Sequence, residues 1–307
     1  MSNSAILKSS IAKKWWMALT GLFLCLFLVG HLLGNLQLIF ITGEEGKRAF
    51  NEYAYFMTHN PFIKILSYVT YASILFHAID GLALAIQNKK ARPQGYAYVK
   101  PGVNTSIPAR YMAILGSTIL IFIVMHMANF WAVMHFGDIP LHKTEKITER
   151  MVMTEMGPQS ITDTSNFYLT TKGDYIPSEY FEPQGPDEAP LKIQDENVIM
   201  NTQTGLKFGE GYKDLHSLVF AFFGKDRTKE LGPEMGTNDM AIVALIVYVI
   251  AMLVLAFHLW HGFASAFQTL GINHRRYNKI IKGFGKAFAV LVPAGFAIIP
   301  IIIFFTK

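Results

Sequence analysis

Cysteine is almost absent from this chain: Cys25 is the single copy in 307 residues. One thiol excludes a disulfide framework, a cysteine zinc site, an iron–sulfur cluster and covalent haem attachment through a Cys-x-x-Cys-His motif. Any metal cofactor must therefore be held mostly by nitrogen or oxygen ligands. Charge is scarce as well. Asp, Glu, Lys and Arg make up 16% of the chain and apolar residues 51%, with a mean hydropathy of +0.30, whereas soluble domains are about a quarter charged. That composition excludes a disordered tail, a nucleic-acid module and an ordinary cytosolic enzyme.

The remaining charges are unevenly distributed. Trp15 to Gly43 runs 29 residues without one, Tyr111 to Gly137 runs 27, Met240 to His274 runs 35 and Ala287 to Thr306 runs 20. Each is long enough to cross about 30 Å of hydrocarbon as a helix. A fifth stretch, Pro61 to Gln87, contains only Lys64 and Asp80. These runs predict an all-α membrane protein with a bundle of five transmembrane helices, I to V. The first is too long for a removable signal peptide.

Basic residues flanking the spans set the expected orientation. Lys8, Lys13, Lys14, Lys89, Lys90, Arg92, Lys100, Arg110, Arg275, Arg276, Lys279 and Lys282 collect on one side, predicted to be cytoplasmic. The other side has a short loop with Glu44, Glu45, Lys47 and Arg48, and the long segment Gly137 to Thr237. That segment holds 17 of the 22 acids but 10 of the 27 bases, a net charge of −7 that leaves +12 on the rest. The N-terminus is thus expected inside and the C-terminus outside.

The expected organisation is helices I to III in 1–137, an extracytoplasmic insert in 138–211, an amphipathic surface segment and loop in 212–237, and helices IV and V in 238–307. The insert has turn signals at Pro183, Gly185, Pro186 and Asp187 and no sustained periodicity, so it reads as irregular with some short strands. Leu215, Leu218, Val219, Phe222 and Phe223 have helical spacing. Either a helix on the membrane surface or a short core helix of the insert accounts for them.

Six of the ten histidines fall in the spans: His31 in helix I, His77 in II, His126 and His135 in III, and His258 and His261 in IV. Intramembrane histidines face the bundle interior and serve a purpose more often than not. His31 and His126 each lie about 16 residues, or about 24 Å, beyond the inner ends of their helices. His77 and His258 fall toward the inside. Two pairs at two heights are what two stacked bis-histidine b-type haems require. Gly81 follows His77 by four residues and Gly262 follows His258 by four, leaving no side chain one turn away to obstruct a flat macrocycle. Close helix packing is the plainer account of each glycine. Spacing leaves His258 and His261 both open as ligands, Gly262 favours His258, and His135 reads as interfacial.

These residues carry a resemblance. MALTG (17–21), HLLGNL (31–36), FHAIDG (76–81), Ala91, Arg92 and Tyr96, HMANFW (126–131) and FHLWHGFASAFQTLGINH (257–274) resemble the di-haem cytochrome b membrane-anchor subunit of the succinate dehydrogenase and fumarate reductase family. DLHSLVFAFF (214–223) is similar to the family's stretch before helix IV. The resemblance covers 5–137 and about 212–300 but not 138–210. It implies two haem b groups, the outer held by His31 and His126 and the inner by His77 and His258. It further implies a flavoprotein subunit and an iron–sulfur subunit as partners on the cytoplasmic face, menaquinone as electron partner, and the cytoplasmic membrane of a bacterium as location. Where some fumarate reductases of the family have a glutamate two residues before the helix IV ligand, this chain has Ala256, so that proton route is not implied.

Within this reading Glu52 is the candidate proton group of a quinone site, with Asn129, Phe130 and Trp131 as candidate lining. A solvated carboxylate and an interfacial aromatic belt are the plain accounts of the same residues. Arg92 is the candidate for a haem propionate, with Lys13, Lys14 and Arg275 as rivals. Asp80 is placed either to orient His77 or to reach toward the interface. The alternatives are the di-haem anchor of a formate or hydrogen dehydrogenase and a haem-free membrane transporter.

Overall fold

The computed structural model describes residues 9–91, 94, 105–154, 157–183, 185, 188–224 and 238–306. Arg92, Tyr96, Lys8, Lys100 and the 225–237 part of the predicted surface segment lie outside the described residues. The chain divides into two compact units: one of Met1–Leu36, Asn60–Asn129 and Asp239–Lys307, the other of Gln37–His59 and Phe130–Asn238.

Five helices are long and apolar enough to cross a membrane. In chain order, α1 is Ser10–Phe40, α2 is Gly43–His59 and α3 is Pro61–Lys90. The short α4, Ile107–Arg110, precedes α5, Met112–His126, which continues through a π-helical turn, Met127–Ala132, into α6, Val133–Phe136. The last two spans are α8, Ala241–Thr269, and α9, Arg275–Thr306. Mid-span side chains such as Leu26 (70%), Ile121 (71%) and Leu291 (68%) are largely exposed. Lipid, which is as apolar as they are, accounts for such surfaces.

Local chemistry sets the helix boundaries. Asn60 caps α3: its Oδ1 accepts from the Phe62 and Ile63 amides at 2.9 and 3.3 Å, and Pro61 occupies the first turn, where its missing N–H costs nothing. Gly271, at φ +83°, takes the left-handed position just beyond α8, which few other residues adopt. Two expectations need correction at helix ends. The charge-free run reaches His274, but α8 stops at Thr269. Helix V was expected from Ala287, but α9 starts twelve residues earlier, because Arg275, Lys279, Lys282 and Lys286 recur at helical spacing and share one face.

The core of the bundle joins α1, α8 and α9 through Cys25, Met252, Leu255, Leu259, Phe263, Phe288 and Val292. Gly285 lets α9 approach α8 closely, since a Cβ there would lie 2.8 Å from Phe263 Cδ1.

The second unit corrects three expectations. The loop of Glu44 to Arg48 is the 17-residue helix α2, whose first turn carries Glu44 and Glu45 and which buries Phe50 and Asn51. The insert, expected to be irregular with some short strands, is more regular than that: besides short strands it has two of 12 and 13 residues. Strands β1 (Lys143–Thr154), β2 (Gly157–Leu169) and β3 (Tyr175–Pro177) form one antiparallel sheet; β4 (Leu191–Gln194), β5 (Val198–Asn201) and β6 (Lys207–Glu210) form another. The β1–β2 ribbon pairs from Lys143 with Tyr168 to Thr154 with Gly157. Bridges of Leu141 with Lys213 and Thr170 with Gly211 tie loops beside the two sheets together, over a core of Leu141, Tyr168, Ile176, Leu191 and Ile199. Helix α7, Leu215–Phe223, buries Phe220, Ala221 and Phe223, which fits the alternative reading of a core helix and not the expected surface segment.

Gly285→Val is expected to drive α8 and α9 apart and destabilise the protein by about 1–3 kcal/mol, read as a lower thermal unfolding midpoint in detergent; an unchanged midpoint would contradict the close approach.

Candidate functional site

Four histidines from four spanning helices meet as two pairs. The ring centres of His31 (α1) and His126 (α5) lie 5.9 Å apart with their planes at 82°. Those of His77 (α3) and His258 (α8) lie 6.2 Å apart at 71°. Depth along the helices predicts the same two pairings.

The first pair has aromatic surroundings. His31 stacks on Phe27 at 5.4 Å and meets Phe296 at 5.5 Å. His126 stacks on Phe122 at 5.8 Å and meets Tyr248 at 5.9 Å. In the second pair, His77 Nδ1–H donates to the Met17 carbonyl at 3.1 Å. A carbonyl only accepts, so the hydrogen sits on Nδ1 and Nε2 keeps its lone pair. The Met17 carbonyl thus orients this ring, a role for which the sequence left Asp80 as one of two readings. His258 Nδ1 is buried and has no hydrogen-bond partner among the described residues. Leaving a buried nitrogen unpaired costs about 1–3 kcal/mol, so a helix-to-helix hydrogen bond at Nδ1 does not explain this residue.

Two glycines that sequence reading passed over seat these rings. A Cβ on Gly21 of α1 would lie 3.0 Å from His77 Cε1, and one on Gly116 of α5 would lie 3.5 Å from His258 Cε1. Gly81 and Gly262, which were singled out, have open faces. Among the described residues outside their own helices, a Cβ at Gly81 would meet only Met17 Sδ at 3.9 Å, and one at Gly262 only Met112 Cε at 3.8 Å.

His261 lies apart from the paired rings and lines a pocket between α8 and α9 with Lys282 and Lys286. His135 is exposed and donates Nδ1–H to the Trp131 carbonyl one turn back, at 2.8 Å. Asn129 donates to the Tyr248 hydroxyl at 3.1 Å. Trp131 lies over His135 with ring centres 4.3 Å apart, and Phe130 meets Phe222 at 5.0 Å. Glu52 lies on α2, not in a loop, and accepts from Arg48 Nε at 2.7 Å. Asn129, Phe130 and Trp131 all fall in the π-helical turn, an irregularity frequent at functional sites.

The second unit contains a buried polar network that sequence reading missed. Lys47 pairs with Asp214 at 2.9 Å, with both side chains largely buried. Asn51 Oδ1 accepts from the His216 amide at 2.9 Å, which fixes its amide group, so Nδ2 donates to Asp214 Oδ1 at 3.0 Å and points at His142 Nδ1, 3.2 Å away. Nδ1 of the fully buried His142 is therefore an acceptor, and Nε2–H donates to Glu44 Oε1 at 2.6 Å. The signal available in the sequence was the spacing of Glu44, Lys47 and Asn51 at i, i+3 and i+7, a polar stripe on one helical face. Burial raises the Asp214 pKa, but Lys47 and the hydrogen bonds from Lys47, Asn51 and Ser217 outweigh it and hold the carboxyl below its ordinary value. Burial likewise opposes ionisation of Glu44, and hydrogen bonds from His142 and Thr144 prevail.

No protein-family model, curated protein or solved structure matches the chain.

A depressed carboxylate pKa contributes stability that is complete above the ordinary carboxylate range and lost as pH falls through the lowered folded value. Hydrogen-exchange protection of α2, corrected for intrinsic rates, is thus expected to fall on acidification below about pH 4, with a shallower dependence in Asp214→Asn. Identical profiles would remove Asp214 from the linkage.

Proposed function

We propose that this chain is the cytochrome b membrane anchor of a succinate:menaquinone oxidoreductase, holding two haem b groups and exchanging electrons between an iron–sulfur subunit and menaquinone. The observation that carries this reading is the approach of His31 to His126 and of His77 to His258, with ring centres 5.9 and 6.2 Å apart. Two imidazoles sharing one metal, each nitrogen about 2 Å from it, have their ring centres about 6 Å apart. The bound haems would supply one-electron redox chemistry.

The chain's own residues supply the rest. His77 has the tautomer of a metal ligand, with Nδ1–H on a backbone carbonyl and the Nε2 lone pair available. Gly81 and Gly262 leave clear faces one turn from His77 and His258. Phe27, Phe122 and Phe296 keep water from the His31–His126 pair, and a dry environment is one lever by which protein tunes redox potential. Glu52, on α2, is the group assigned to take or give a proton at its carboxylate during quinone turnover, with Asn129 and Trp131 assigned to the quinone. A flavoprotein subunit would carry the dicarboxylate chemistry, so this subunit would bind neither succinate nor fumarate.

Purified protein is expected to give a reduced-minus-oxidised b-type spectrum equivalent to two haems per chain. His31→Ala, His126→Ala, His77→Ala and His258→Ala should each lose one haem, while His261→Ala keeps both. A preparation without any such spectrum refutes the proposal, and loss of a haem in His261→Ala but not His258→Ala reassigns the second pair. Co-purification with a flavoprotein and an iron–sulfur protein tests the complex itself. Glu52→Gln is expected to slow quinone turnover at least about a hundredfold; undiminished turnover excludes Glu52 as the proton group.

A further inference from the structure

Helices α8 and α9 pack through apolar side chains along most of their contact, but near the turn joining them lies a pocket of about 190 Å³ with several polar side chains in its lining. Its chemistry comes from Ser106 just before α4, from Trp260, His261, Ser265 and Gln268 on α8 and from Lys282 and Lys286 on α9. Lys286 Nζ stands 5.4 Å from the centre of the Trp260 ring. From Met240 to Lys307 the sequence has no Asp or Glu. Neither lysine therefore has a carboxylate within its own helical hairpin, and neither is in an ion pair among the described residues.

Two ammonium groups beside two hydroxyls, an amide, an indole N–H and an imidazole, with no carboxylate among the described lining residues, complement a phosphate. The pocket's position selects the source of that phosphate. Arg275, Lys279, Lys282 and Lys286 share one face of the first three turns of α9, and on α8 the exposed Leu253, Phe257 and Trp260, at 59%, 53% and 42%, share a face that meets the pocket at Trp260 and offers an apolar surface. A phosphodiester carrying acyl chains would use both surfaces, whereas a free anion would use only the first. Basic pockets between spanning helices bind acidic headgroups by this combination.

We propose that the α8–α9 pocket binds the phosphate of an acidic phospholipid. The pocket is distinct from the histidine pairs, and its test reads lipid alone, whether or not the chain holds haem. Full-length protein in neutral detergent is titrated with phosphatidylglycerol, phosphatidylcholine or inorganic phosphate while its thermal unfolding is followed. Phosphatidylglycerol is expected to raise the midpoint at a markedly lower concentration than phosphatidylcholine. K282Q/K286Q should weaken that preference about thirtyfold, from two basic contacts at the membrane surface, and K282R/K286R should retain it. Should the double variant fail to fold, K286Q alone is read the same way, with about a fivefold loss expected. Equal stabilisation by the two lipids, or a preference unchanged in the glutamine variants, overturns the proposal. Inorganic phosphate matching phosphatidylglycerol at equal concentration overturns the lipid assignment.

Discussion

A polar group inside hydrocarbon must find its partner within the protein, because no water is present to serve it. Most of the bundle meets this demand locally. The spans are helical, so their backbone groups pair internally, and hydroxyls turn back onto their own helix: Thr20 to the Trp16 carbonyl at 2.9 Å, Ser67 to Ile63 at 3.0 Å and Thr70 to Leu66 at 2.9 Å. An imidazole has two nitrogens to satisfy and is harder to accommodate. His77 reaches across to α1 for one partner, and His258 leaves Nδ1 without any among the described residues. Residues kept at such a cost, in pairs drawn from different helices, need a function to explain them, and the proposed haem ligation provides one.

The second unit solves a similar problem by the opposite means. It buries Lys47, Asp214, Asn51 and His142 together, and ion pairs removed from water stabilise only when the surrounding hydrogen bonds are nearly complete. Here they are. Asp214 accepts from Lys47, Asn51 and the Ser217 amide, while Asn51 uses both its oxygen and its nitrogen. Each bond constrains the next, so the amide orientation of one asparagine settles the tautomer of one histidine. That imidazole ends on Glu44, an exposed carboxylate that links the buried groups to the surface.

Legibility in the sequence followed the strength of the periodic signal. The five spans were legible because little besides a membrane-crossing helix accommodates a charge-free run of twenty or more residues, and the histidine pairings because residue depth along a spanning helix follows from counting. Helix α2 was lost because its polar stripe carries Glu44, Lys47, Arg48 and Glu52 and looks like a loop when hydropathy alone is scored. The β1–β2 ribbon was lost for a related reason. Lys143 to Arg150 reads Lys-Thr-Glu-Lys-Ile-Thr-Glu-Arg, with no apolar face to produce the period-two signal of a half-buried strand. Its stability draws instead on cross-strand contacts such as Lys146 over the Phe167 ring, 5.1 Å away, which no single-strand pattern reveals. Gly21 and Gly116 were invisible for another reason: each matters to a histidine on a different helix.

Helix α8 shows how one span serves several tasks without mixing them. Its Tyr248 accepts from Asn129 and meets the His126 ring, one turn after another brings His258 to His77, and the next three residues turn the helix so that His261 lines the lysine pocket beside α9. A step of three residues is about 300° of rotation, only about 60° short of a full turn, so spacing alone could not separate the two histidines. Their neighbours separate them. His258 has Gly116 against its ring edge, a residue that lets α5 come close, while His261 has Trp260 and two lysines for company. An imidazole between apolar helices and one beside paired ammonium groups differ in what they can bind: the first is suited to a neutral ligand role toward a metal, the second to donating a hydrogen bond to an anion. The same residue type, three positions apart, is thus given two chemistries by the helices packed against it.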